Sequence, residues 1–124
     1  MKLVIFGSCP SKKNSRNIFV RNGRIVNVPS ERHTLWERDA LLQLRSSVKG
    51  SADHPVAIDF VFYRDTLRRF DLDNAVSSCL DVLVKGGLLK DDSFDWVPEF
   101  SAHYGGVDKK NPRAEMFITE ILDE

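Results

Sequence analysis

Between residues 55 and 85 the spacing of the apolar side chains changes from two to three and four, and the change happens across Arg68-Arg69-Phe70-Asp71-Leu72-Asp73-Asn74. In residues 55–63, Val56, Ile58, Phe60 and Phe62 face one way and Ala57, Asp59, Val61 and Tyr63 the other, the pattern of a strand. From Leu72 onward, Leu72, Val76, Leu80 and Leu83, with Ala75 and Cys79 beside them, form one helical stripe. Gly86-Gly87 ends it, because glycine takes the left-handed cap conformation at no steric cost. A strand that feeds an amphipathic helix through a short basic turn must lay that helix on a sheet, so all-helical and all-strand folds are excluded.

The remaining segments extend this frame. Residues 2–6 read as a first strand and 7–16 as a polar, basic loop bounded by glycine and proline. Residues 18–26 form a hairpin, because Asn22-Gly23 supplies the positive φ angles of a type I′ turn. Pro29-Ser30 starts a helix with Ser30 as N-cap, and its buried stripe is expected at Leu41, Leu44 and Val48, widened by Leu35 and Leu42, with Trp36 in the core. Alternation over residues 94–104 predicts a strand in which Pro98 marks an edge or bulge. Residues 105–112 are expected to turn, and 114–122 to form the last strand. The order is strand, hairpin, helix, strand, helix, strand, strand. It predicts one α+β domain over residues 1–124, a mixed sheet with two helices packed on one face.

Formal net charge is zero, yet the charges are unevenly placed. Residues 1–30 carry six bases, Lys2, Lys12, Lys13, Arg16, Arg21 and Arg24, and no acid, which admits a polyanion partner. The loop is not a nucleotide-binding glycine loop, since Lys12 stands where the second glycine is required. His33, His54 and His103 have no paired spacing, which argues against zinc. Cys79 lies on the apolar helix stripe, where a reduced thiol is expected, and the apolar run 3–6 is too short for a signal or membrane segment. These features together suit an intracellular, cytoplasmic setting.

Carboxylates gather at both ends of the predicted second helix, Asp71 and Asp73 before it and Asp91-Asp92 after it. Like charges repel, and a hard divalent cation offsets that repulsion. Mg²⁺ takes oxygen ligands and commonly uses one or two carboxylates plus a substrate phosphate. Each half also has a plainer reading: Asp71 as an N-cap with Asp73 in the first turn, and Asp91-Asp92-Ser93 as an ordinary turn. An EF-hand loop fails outright, because Ala75, Val76 and Val82 occupy ligand, glycine and glutamate positions. Arg64, Arg68 and Arg69 next to the first acids read either as a salt-bridged surface or as phosphate contacts beside a metal.

Asp71-Leu72-Asp73-Asn74, an acid eight residues further on at Asp81, and the Asp91-Asp92 pair beyond the helix resemble the RusA family of Holliday-junction resolvases. Pro10-Ser11-Lys12-Lys13-Asn14-Ser15-Arg16 is similar to that family's loop after the first strand. The resemblance implies an endonuclease in which Asp71, Asp73 and Asp92 are catalytic and bind Mg²⁺ with Asp91 alongside. It further implies that Lys12, Lys13, Asn14, Arg16, Arg68 and Arg69 contact DNA. A symmetric four-way junction needs two nicks, so a homodimer is expected. One departure stands out: the family's catalytic lysine, four residues after the second Asp, is here Ser77. Lys85 or Arg69 is the expected substitute. The rival reading is a junction or single-strand DNA-binding module without catalysis.

Overall fold

The computed structural model describes residues 1–10, 16–29 and 31–122, with the side chains at 16, 17, 28 and 29 outside the description. Its elements run β1 (Lys2–Phe6), β2 (Arg16–Arg21), β3 (Arg24–Pro29), α1 (Glu31–Ser47), β4 (Val56–Arg64), α2 (Leu72–Lys85), β5 (Glu99–Val107) and β6 (Arg113–Glu120). Four strands form a mixed sheet in the order β1-β6-β4-β5, in which only β4 and β5 are parallel. The hairpin β2-β3 is a separate ribbon whose turn, with Asn22 at φ 53° and Gly23 at φ 75°, is the expected one.

The strand parity read from residues 55–63 decides which sheet face is covered. Val56, Ile58, Phe60 and Phe62 are buried, and their partners Ile118, Met116 and Ala114 on β6 lie on the same side. Leu3 and Ile5 continue that face onto β1. Both helices supply the rest of this core, α1 against β1 and α2 against β5, so the expected single helical layer on a mixed sheet is what forms. The Gln43 side chain of α1 accepts from Phe6 N–H at 2.7 Å and donates to Phe6 C=O at 2.9 Å, occupying free backbone groups of edge strand β1. Among the described residues no helix is long and apolar enough to cross a membrane.

Four local expectations need correction. The buried stripe of α1 is His33, Trp36, Ala40 and Leu44, while Leu35 and Leu42 are 55% and 53% exposed. Trp36 is core as expected, and its bulk at spacing three and four turns the helix away from the leucine-rich side. Residues 94–98 are not strand: Trp96 and Val97 N–H both donate to Ser93 C=O, a turn that delivers the chain to β5. Gly105 and Gly106 do not start the final turn either, because β5 runs on to Val107 and the ladder shifts between Phe62 and Tyr63. Gly105 is required there, since a Cβ would stand 2.7 Å from the Tyr63 ring. The last strand ends at Glu120 rather than Leu122. Ser30, the expected cap of α1, lies outside the described residues.

Candidate nucleic-acid and metal site

α2 begins at Leu72, which makes Asp71 its N-cap residue, with extended backbone at φ −102° and ψ 122°. The carboxylate makes no capping bond; its Oδ2 is instead 3.4 Å from the Asn74 Nδ2 donor. Asp73 Oδ1 accepts Asn74 N–H at 2.9 Å. Both acids are exposed, so each keeps oxygen lone pairs for a ligand from solvent. Arg68 and Arg69 are exposed in the loop between β4 and α2, and neither has an ion pair among the described residues.

Asp91 and Asp92 follow the other end of α2. There Leu88 and Leu89 N–H donate to Leu83 C=O, and the chain turns through Ser93 towards Val56 at the start of β4. Hydrogen bonds from the Ser93 hydroxyl, then from Asp92 N–H, hold the Asp91 carboxyl below its ordinary pKa. Among the described residues no group of three or more His, Cys, Asp or Glu side chains converges as a metal cage. The donor set still fits Mg²⁺, because hard, exposed carboxylate oxygens in pairs are what this ion uses when substrate phosphate and water complete its shell.

The basic loop is rooted beside the first acids. The Ser8 hydroxyl donates to Asp65 Oδ1 at 3.0 Å, and Cys9 Sγ, fully buried, lies 3.7 Å from Ala75 C=O in the first turn of α2. The Cys79 thiol, one turn further on, is pushed well above its ordinary pKa, first by its hydrogen bond to Cys9 and then by burial. Both cysteines are free and buried, as expected for Cys79. Lys12, Lys13 and Asn14 lie outside the described residues, and of Arg16 only the backbone, at the start of β2, is described.

The chain is 34% identical over 85 residues to the crossover junction endodeoxyribonuclease RusA of Aquifex aeolicus (strain VF5), and the match covers 68% of this chain. The chain belongs to the RusA family. The aligned part spans 66% of that relative's length. No protein-family model matches the chain. Within the RusA frame the structure separates the two cations expected to replace the lysine at Ser77. Lys85 is in the last turn of α2, about 18 Å along the axis from Asp73 at 1.5 Å per residue, and is committed to Glu37 of α1 at 2.5 Å. Arg69 stays next to Asp71.

One residue near this site was read only as part of a basic turn. Arg64 is buried, although the strand pattern marked it: it continues the parity of Val56, Ile58, Phe60 and Phe62. Its guanidinium carbon sits 4.4 Å from the centroid of Phe70, the residue before Asp71.

Proposed function

We propose that this chain is a Mg²⁺-dependent, structure-selective endodeoxyribonuclease that cuts four-way junctions, a single RusA-like domain over residues 1–124. The observation that carries the reading is the pair of exposed carboxylates, Asp71 and Asp73, beside the unpaired Arg68 and Arg69 in a member of the RusA family. Asp71 and Asp73 would hold the ion at the start of α2, with Asp92 and Asp91 approaching from the turn beyond it. When bound, Mg²⁺ supplies an activated water and neutralises charge on the scissile phosphate. Asn74 fixes the orientation of both first acids through its amide groups. Arg68 and Arg69 hold backbone phosphates, and the segment Lys12, Lys13, Asn14 and Arg16 extends that grip from its root at Cys9. A homodimer places one such site on each of two symmetry-related strands. The free, buried cysteines suit the reducing cytoplasm.

Ser77 supports a second reading. It places no charge where the family has lysine, and Lys85 is held by Glu37, so binding without cutting is the alternative. Incubating the pure protein with a synthetic four-way junction in Mg²⁺ or in EDTA decides between them. Paired nicks in Mg²⁺ alone support the nuclease; a stable complex that is never cut supports the binding module.

A further inference from the structure

Arg64 ends β4 with its side chain turned into the protein, at 3% exposure. Among the described residues neither its Nε nor its Nη1 has a hydrogen-bond partner. Stacking on Phe70 engages the face of the guanidinium and leaves the in-plane N–H groups unmet. Arginine does not escape burial by losing its proton, so an unanswered guanidinium there is costly. The neighbouring charges do not answer it. Burial and then the Arg32 charge, in the first turn of α1, lower its pKa, and Asp65, which acts the other way, already accepts the Ser8 hydroxyl. Two arginines directed at one place next to the acids, without an anion between them, form half of an interaction.

The missing half has a definite chemistry. The guanidinium fork matches the tetrahedral oxygens of phosphate, and two forks match one phosphate better than one carboxylate. The location is equally definite. Phe70, under Arg64, is bonded to Asp71, and Cys9, at the root of the basic loop, is among the groups that act on Arg64. We propose that Arg64 and Arg32 form a phosphate-binding pocket at the end of β4 and that it receives a DNA backbone phosphate neighbouring the scissile one. The identity of the occupant rests on the nuclease reading; the pocket does not.

The experiment has two arms on the full chain. In the first, thermal unfolding is followed in sodium phosphate and in sodium chloride at equal ionic strength and pH. Phosphate should raise the Tm of the parent protein, and the rise should disappear in Arg64→Met and shrink in Arg32→Met. Methionine keeps a flexible apolar body against Phe70 without the charge. Arg32 is exposed, so its replacement tests the pocket even where Arg64→Met fails to fold. In the second arm, four-way-junction binding is titrated with salt in EDTA. Each variant should flatten the log-affinity versus log-salt slope by about 0.9, a roughly tenfold loss at 0.1 M salt. A phosphate effect that is absent, or equal in the parent and both variants, overturns the pocket. A phosphate effect that depends on Arg64 in a protein that ignores junctions keeps the pocket and overturns its DNA occupant.

Discussion

The two ends of α2 are built in opposite ways. At the C-terminal end the chain answers its own carbonyls: Gly86 N–H reaches Val82 C=O at 2.7 Å, and Leu88 and Leu89 N–H both reach Leu83 C=O. Gly87, at φ +86°, makes that reversal possible, Leu88 and Leu89 are buried, and Lys85 is tied to Glu37. At the N-terminal end Asp71 makes no cap bond, Asp73 is exposed, Arg68 and Arg69 are unpaired, and Arg64 is buried without a partner for Nε and Nη1. One helix therefore has an end completed by the protein and an end whose polar groups await something outside it. Local rules of stability are expected to fail where function needs the groups, and they fail at one end only.

Changes placed at the two ends should separate accordingly. The largest effect is expected for Asp73→Asn, which removes a ligand charge from the open end. Single-turnover nicking of a four-way junction should fall about a hundredfold or more, while Tm stays within the range of an exposed substitution. A Tm loss large enough to explain the missing activity would make the open end a structural one. Next is Leu83→Ala at the closed end, where the side chain is fully buried; the expected cost is about 2–5 kcal/mol by urea unfolding. The folded fraction of that variant should nick at the parent rate, and slower nicking per folded molecule would join the two ends into one unit.

Ser77→Lys sharpens the open end. Position 77 is about 6 Å along the axis from Asp73, and a lysine there can reach a phosphate held at the first acids. The expected gain in single-turnover rate is up to roughly a hundredfold, since the contact acts on charge that develops in the transition state. An unchanged rate would show that another cation already serves. The smallest effect is expected for Lys85→Ala. The pair with Glu37 is more than half exposed on the lysine side, so after screening its contribution is about 0–1 kcal/mol, and nicking should not change. A marked loss of nicking would place Lys85 in the catalytic machinery despite its distance.

Much of the frame was legible because periodicity reports burial directly. The strand 55–63, the helix from Leu72 and the Asn22-Gly23 turn each followed from spacing or turn chemistry. What was not legible depended on partners distant in sequence. Leu35 and Leu42 looked like core residues until Trp36 and His33 set the rotation of α1. Gly105 looked like a turn residue, but it makes room for the ring of Tyr63 across the sheet. At the site, the acid pair before α2 could be read from its spacing. The commitment of Lys85 could not, because Glu37 lies 48 residues away. Arg64 falls between these cases: carrying the alternation two residues past Phe62 puts it on the buried face, and only its charge argues otherwise.

β6 occupies the interior of the sheet, between β1 and β4, although it is the last strand in sequence. Its residue Ile118 accepts a hydrogen bond from Met1, 117 residues earlier. Native pairing of this kind has high contact order, which favours folding over milliseconds to seconds rather than microseconds. At about 5–20 residues per second a ribosome needs several seconds or more to reach β6 after starting β1. Throughout that interval β1 and β4 lack their common neighbour, and the apolar face they share cannot close. The nascent protein thus emerges with its acidic helix available and its sheet incomplete, and folding becomes a single late event in which one strand slides between two that are already waiting.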